Sequence, residues 1–260
     1  MLIRLSYAVG LTALAIMAVM PERWGWSVFL ILGNGVFLGM MVMCPRCRMM
    51  GANIVRLPSS ARNRGEIALT FDDGPDVVVT PLVLEILDRF GVKASFFCIG
   101  EKAAAHPSLL KEIISRGHSV ENHSYHHRYV FAFYRSVALK REVVSTQKLF
   151  SEHGVTARFF RAPMGFRSPL LNDVLGACQL EHVAWTRRGF DAVRSNADAV
   201  FLRLARTLSP GDILLLHDGG SARTRDGRPV VLAVLPELLE RCKVLGLHSV
   251  SLPMAFRDRS

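Results

Sequence analysis

Beyond residue 65 the chain alternates between two hydrophobic rhythms. Short apolar runs, as strands buried in a sheet show, occur at Glu66–Phe71, Lys93–Ile99, His118–Glu121, Thr156–Phe160, Glu181–Thr186, Asp212–Leu216 and Leu247–Val250. Between them, apolar residues recur every three or four positions over Pro81–Phe90, Pro107–Arg116, Ser136–His153, Ser168–Cys178, Ala197–Thr207 and Val230–Leu245, which predicts helices. Thr80-Pro81 and Ser168-Pro169 look like helix starts, and Gly91, Gly117 and Gly154 like helix stops. Seven strands alternating with helices predict a parallel α/β barrel or a doubly wound sheet.

The first quarter follows neither rhythm. Leu5 to Met20 is 16 residues without a charge and Gly25 to Cys44 another 20. As helices these reach about 24 Å and about 30 Å, and the longer matches a bilayer core. The first run also suits the core of a signal peptide, and the pair suits a buried apolar subdomain. We read them as a hairpin of two transmembrane helices turning at Pro21-Glu22-Arg23-Trp24, with Trp24 and Trp26 at the interface and Gly35 and Gly39 allowing close helix contact. The expected organisation is a membrane anchor over 1–48, a linker over 49–65 and a catalytic domain over 66–260.

Charge adds a direction. The net charge is +10, and residues 1–64 hold seven Arg against one acid. Arg46, Arg48, Arg56, Arg62 and Arg64 follow the apolar segments. They predict a multi-pass protein of the inner membrane with its catalytic domain on the cytoplasmic side, its arginines near anionic headgroups of the lipid bilayer. Nucleic acid is not an expected partner, because no basic-aromatic interleaving occurs in the rest of the chain. The five cysteines are scattered, as in a reducing compartment, and Cys44-Pro45-Arg46-Cys47 has no second pair to complete a zinc site.

The chemistry begins where the first strand ends. Asp72 and Asp73 stand side by side before Gly74-Pro75, and two adjacent carboxylates at a strand end need something to compensate them. Downstream lies Glu121-Asn122-His123-Ser124-Tyr125-His126-His127. A helix there would put His123 and His127 on one face. Two imidazoles and one carboxylate form a common first shell for a hydrolytic metal. Asp72, Asp73, His123, His127, Arg161, the Trp185–Asp191 stretch and His217 all follow the predicted strands. Parallel α/β folds gather their chemistry on that rim.

Thr70-Phe71-Asp72-Asp73-Gly74-Pro75, Asn122-His123-Ser124 with His127, Arg161-Ala162-Pro163-Met164-Gly165 and Leu214-Leu215-Leu216-His217-Asp218, in that order, resemble the polysaccharide deacetylase family. This is the NodB-homology group of metal-dependent carbohydrate de-N-acetylases, similar to carbohydrate esterase family 4. The resemblance spans Glu66 to Ser251 and implies an irregular (β/α)7 barrel. It implies Asp73, His123 and His127 as metal ligands, Asp72 as general base, Arg161 orienting that base, His217 as general acid and Asp191 as its support. Pro163, Met164, Gly165, Trp185, Arg188 and Leu216 are the implied substrate contacts, with a backbone N–H near Met164 facing the oxyanion. The chain departs from the family at Met164, where Tyr is frequent, at Arg188, where an acid is common, and at Ala192, where Trp is usual. Asp218 is a further candidate to hold the His217 ring.

The expected activity is removal of N-acyl groups from an amino sugar, on a glycan or a lipid-linked saccharide, with a divalent metal such as Zn2+, or Co2+, Ni2+ or Mn2+. O-acetyl ester hydrolysis, a peptidoglycan- or chitin-type deacetylase facing the periplasm, and a catalytically silent glycan-binding protein are the alternatives. Arg187 and Arg188, adjacent on the rim, suit a substrate carrying phosphate or carboxylate, and equally a solvated rim.

Overall fold

The structure, a computed structural model, describes residues 2–258. Met1 of the expected anchor and residues 259–260 of the expected catalytic domain lie outside it. Eight strands form one parallel sheet: β1 (Glu66–Asp72), β2 (Ser95–Cys98), β3 (Ser119–Asn122), β4 (Phe159–Phe160), β5 (Glu181–His182), β6 (Arg187–Arg188), β7 (Ile213–His217) and β8 (His248–Ser249). Their order is β5-β4-β3-β2-β1-β7-β6, with β8 pairing the first residues of β1. The sheet curls into an incomplete parallel barrel, as the (β/α)7 expectation requires.

The helices are α1 (Leu2–Val19), α2 (Trp24–Val42), α3 (Ser59–Asn63), α4 (Val79–Arg89), α5 (Gly100–Ala105), α6 (Pro107–Ser115), α7 (Ser136–Glu152), α8 (Leu171–Ala177), α9 (Ala197–Ala205), α10 (Val230–Val244) and α11 (Leu252–Ala255). The predicted helical stretches appear as α4 and α6 to α10. Two start signals misplace the boundary. α4 begins at Val79 because Asp76 Oδ1 accepts the Val78 and Val79 N–H groups, so Asp76 caps the helix rather than Thr80. α8 begins at Leu171, after Ser168 Oγ has accepted the Leu170 N–H.

Alternation along the strands divides the core in two. Ile67, Leu69 and Phe71 of β1, Phe96 and Cys98 of β2, and Leu214 and Leu216 of β7 pack outward against the helices. Ala68, Phe97, Phe159, Val183, Trp185, Ile213 and Leu215 fill the barrel interior. Thr70, Asp72 and His217 share the inward parity of their strands, so period 2 alone aims them into the barrel mouth.

α1 and α2 lie side by side, with Asn34 Nδ2 donating to Ser6 Oγ at 2.8 Å. Pro21–Val42 is long and apolar enough to cross a membrane. Gly35 and Gly39 do not serve that contact, because a Cβ on either would meet nothing within 4 Å; Asn34 marks the face that does. The stretch expected as a linker is bound to the barrel: Ile54 bridges Val183, and Leu57 and Ala61 are buried. Arg167, fully buried, donates to the carbonyls of Cys47 and Ala52, and its backbone N–H to that of Val42. Two of the arginines expected near headgroups are used elsewhere: Arg56 pairs with Asp212, and Arg64 with Glu66 and Asp258.

Candidate metal and catalytic site

β1 delivers both carboxylates. Asp72 ends the strand facing inward, and Asp73 turns out of it with φ of 69°. The His123–His127 segment is a loop, so the convergence of its imidazoles does not come from the face of a helix. Polar side chains take the place of the helical ladder. Asn122 Oδ1 accepts the Ser124 N–H, and Glu142 of α7 accepts those of Tyr125 and His126. Ser124 and His127 adopt φ of 64° and 51°, which no continuous right-handed helix contains. The two imidazoles still converge, with ring centroids 4.8 Å apart.

Asp73 Oδ1 lies 3.2 Å from His123 Nε2 and 3.1 Å from His127 Nε2. The three donor atoms fall within 4.8 Å of one another. Asp73 Oδ1 is buried with no hydrogen-bond partner, the state of a carboxylate oxygen reserved for a cation. His123 Nδ1 lies 2.8 Å from the Arg161 carbonyl oxygen. In the neutral ring, donation of Nδ1–H there leaves the Nε2 lone pair facing Asp73. Without a cation, burial opposes charge on His123, but Asp72 and Asp73 outweigh it and raise its pKa, so a metal ion would displace a proton from this ring. Burial, and then the charge of His123, press the His127 pKa down to about 4. Burial pulls the Asp73 carboxyl up, but His123 and His127 outweigh it and hold it well below its ordinary value. A deprotonated acid and a neutral imidazole are what a divalent cation requires. One oxygen and two nitrogens suit Zn2+ and equally Co2+, Ni2+ or Mn2+.

Asp72 stands beside this group in a different environment. Arg161, buried, donates through Nη1 to Asp72 Oδ1 at 2.6 Å and to Thr70 Oγ1 at 2.8 Å. Nη2 reaches the Ala184 carbonyl, and the guanidinium lies 4.0 Å from the Phe97 ring centroid. Every polar group on Arg161 is occupied, so it fixes Asp72 and leaves Oδ2 open. Thr70 and Phe97 were not expected. Thr70 was legible as the inward residue two before Asp72, whereas Phe97 needs the tertiary fold.

His217 ends β7. Its Nδ1 lies 2.9 Å from Asp191 Oδ1, and its backbone N–H donates to Asp191 Oδ2 at 2.7 Å. Burial opposes charge on the ring, but the buried Asp191 carboxylate outweighs it and lifts the pKa to about 9. Asp218 does not hold the ring. It accepts from Thr80 Oγ1 at 2.6 Å beneath Gly74, where a Cβ would overlap its carboxylate.

Pro163–Gly165 form a single tight turn with Met164 at φ of 58° and half-exposed. Trp185 lies against it, since a Cβ on Gly165 would meet the indole at 2.5 Å. Arg188 also reaches that indole, 5.4 Å from guanidinium to ring. Leu216 is the correction among the expected substrate contacts. It is fully buried in the layer between sheet and helices, on the opposite face of β7 from His217.

The sequence profile of the polysaccharide deacetylase family matches residues 59–183. A peptidoglycan-N-acetylglucosamine deacetylase of Bacillus cereus is 28% identical over 197 residues, 75% of this chain and 90% of that protein. A chitooligosaccharide deacetylase of Azorhizobium caulinodans is 31% identical over 201 residues, 74% of this chain and 95% of the relative. The crystal structure of a peptidoglycan N-acetylglucosamine deacetylase superposes with a TM-score of 0.71 at 27% identity, covering 79% of this chain and 92% of that one. The curled parallel sheet, the order of the four motifs along it and these relatives agree: the chain belongs to the polysaccharide deacetylase family, whose members are hydrolases acting on carbon–nitrogen bonds.

Proposed function

We propose that the chain is a divalent-metal-dependent deacetylase of N-acetylated amino sugars. The observation that carries this reading is the buried, unpartnered Asp73 Oδ1 facing two imidazole Nε2 atoms, with an arginine-held carboxylate and a carboxylate-held imidazole beside it. Asp73, His123 and His127 hold the cation, which when bound supplies Lewis acidity toward an amide carbonyl and makes water acidic near neutral pH. Asp72 takes the proton of the attacking water on Oδ2, because Arg161 occupies Oδ1. A backbone N–H of the turn at Met164 faces the oxygen that becomes negative. His217 enters the reaction protonated, since Asp191 holds its pKa near 9, and gives the Nε2 proton to the departing amine. Pro163, Met164, Gly165, Trp185 and Arg188 border the sugar.

In the same reading, residues 1–48 anchor the enzyme in a membrane, with residues 66–260 as its catalytic domain. The excess of arginine after α2 favours the cytoplasmic side of the inner membrane. A second reading, a periplasmic enzyme on peptidoglycan or a chitin-like glycan, is favoured by the names of the relatives.

The test is release of acetate from an N-acetylglucosamine oligosaccharide by the full chain in detergent, with Zn2+, Co2+, Ni2+ or Mn2+ and after chelation. Metal-dependent acetate release with free amine supports the reading. Hydrolysis of an O-acetyl ester alone would replace it by the esterase, and no hydrolysis of either by metal-loaded protein would leave only glycan binding. C-terminal reporters active on one side of the membrane decide the sidedness.

A further inference from the structure

Three arginines surround a cavity of about 380 Å³ where the end of α2 meets the catalytic rim: Arg46, Arg188 and Arg203. Its walls combine Met43 and Pro45, just beyond α2, with Met164 and Trp185 of the candidate site. A second cavity of about 390 Å³ shares the same three arginines and adds Arg206. Among the described residues none of these four forms an ion pair, although Arg46 Nη2 donates to the Thr186 carbonyl. The neighbouring Arg187, by contrast, is neutralised by Asp212 and also donates to the Thr207 carbonyl. Arg187 therefore does not fill the phosphate-facing role its sequence position suggested. Arg188 Nε is buried with no hydrogen-bond partner. The Arg188 and Arg203 guanidiniums stand 4.7 Å and 4.8 Å from the Phe190 ring, two like charges held against one aromatic side chain. The last turn of α9 accounts for a cation at Arg203, but not for the other two. Gathered guanidiniums without carboxylates match an anion that accepts several hydrogen bonds at once.

The location identifies the carrier. Trp185 has the Arg161 guanidinium 5.9 Å from its ring and that of Arg188 at 5.4 Å, so the same indole touches both the arginine that holds Asp72 and the cluster. Pro45 sits against Gly165, 3.2 Å from where its Cβ would be, and Arg167 clamps the Cys47 and Ala52 carbonyls. The segment that α2 would hold at a bilayer surface is thus one wall of the pocket. The same rim exposes apolar side chains from four loops, among them Val78, Tyr129, Phe133, Met164 and Val193. A rim of that composition suits lipid rather than water.

We propose that Arg46, Arg188 and Arg203 bind a phosphate through which the amino-sugar substrate is attached to a lipid, so that the sugar reaches the metal site from the bilayer surface. This rests on the deacetylase reading and names its substrate class. A phosphate on a lipid and a free phosphate offer the guanidiniums the same oxygens. The test is therefore binding of farnesyl phosphate, farnesol and inorganic phosphate to the full chain in phosphatidylcholine nanodiscs. Deacetylation of an N-acetylglucosaminyl phosphoprenol and of a neutral N-acetylglucosamine oligosaccharide is measured alongside.

Farnesyl phosphate should bind at least tenfold more tightly than either farnesol or inorganic phosphate. Arg203→Gln and, independently, Arg46→Gln should each weaken it about tenfold, and Arg203→Lys should restore part of the loss. The ratio of kcat/KM for the phosphoprenol substrate over the neutral one should fall in parallel. Equal affinity for farnesyl phosphate and farnesol, affinity unchanged in both glutamine variants, or inorganic phosphate binding as tightly as farnesyl phosphate each overturns the proposal. Phosphate-dependent binding without deacetylation of either sugar would overturn the deacetylase reading and leave the anion site standing, so the two failures are distinct.

Discussion

Two carboxylate–imidazole arrangements lie within one barrel mouth and differ in which ring nitrogen meets the acid. Asp191 meets His217 at Nδ1, 2.9 Å away, with its second oxygen satisfied by the backbone. Asp73 meets His123 and His127 at Nε2, and its Oδ1 has no hydrogen bond at all. The first arrangement is complete within the protein and raises a pKa; the second leaves a buried carboxylate oxygen without a partner, which the proposed function assigns to a cation. In that reading the same residue types are divided between proton chemistry and ligation by geometry. The proposed function places Asp72, the neighbour of Asp73, on the proton side of that division, because Arg161 pairs with its Oδ1.

Breaking the ligating arrangement should have the largest effect. His123→Ala or His127→Ala should remove stoichiometric metal, measured by elemental analysis, and lower deacetylation by at least about a thousandfold, while circular dichroism stays native. A His127→Ala protein with full activity and no metal would sink the assignment of this site.

The two adjacent acids separate next. Asp72→Asn should keep its metal and lose about 10²–10⁴ in kcat, the usual range for a proton-transfer residue. Asp73→Asn should lose metal affinity first and regain some activity at high metal concentration. Metal loss in Asp72→Asn alone would exchange the two roles.

Asp191→Asn tests the proton side more gently. Asparagine can still accept one hydrogen bond, but it removes the charge that outweighs burial at His217. We expect kcat to fall about 10- to 100-fold and the alkaline limit of activity to move down toward or below the ordinary histidine value near pH 6.5. Stability should follow with a definite sign. A histidine whose pKa rises from 6.5 to about 9 on folding stabilises the fold fully below pH 6.5, and that contribution is lost as pH rises through 9. It amounts to about 3 kcal/mol, so thermal unfolding of metal-free wild type should weaken across that window, and Asp191→Asn should lack this slope. An unchanged alkaline limit in the variant would remove Asp191 from its positioning role.

The division of the site was only partly legible in the sequence. Period-2 alternation aims Asp72 and His217 inward, and the strand ends gather the candidates on one rim; both follow from residues alone. The ring partner of His217 was open between Asp191 and Asp218, because a strand end does not reveal which neighbouring acid the turn folds back. The conformation of the His123–His127 loop was not legible, because the groups that hold its backbone come from Asn122 locally and Glu142 far along the chain. β6 escaped prediction because Arg187-Arg188 carries no apolar signal and exists through pairing with β7. Leu216, a substrate contact implied by the resemblance, falls outside the site because successive strand residues face opposite ways.

The smallest expected effect sharpens the comparison at the backbone. Met164 sits at φ of 58°, a region that costs a residue with a Cβ about 1–2 kcal/mol and glycine almost nothing. Glycine also raises the entropy of the unfolded chain, by about 0.5–1 kcal/mol. Met164→Gly should therefore match or exceed Met164→Ala in stability by up to about 1 kcal/mol, where an ordinary position would favour alanine. Neither variant removes the backbone N–H, so if that group faces the oxyanion, kcat should change less than about threefold in both. KM carries whatever the half-exposed Met164 side chain contributes to sugar binding. Tyr in its place keeps the strained φ and should leave stability near wild type while altering KM. A large loss of kcat in Met164→Ala would mean that the side chain, not the turn it occupies, supports the reaction.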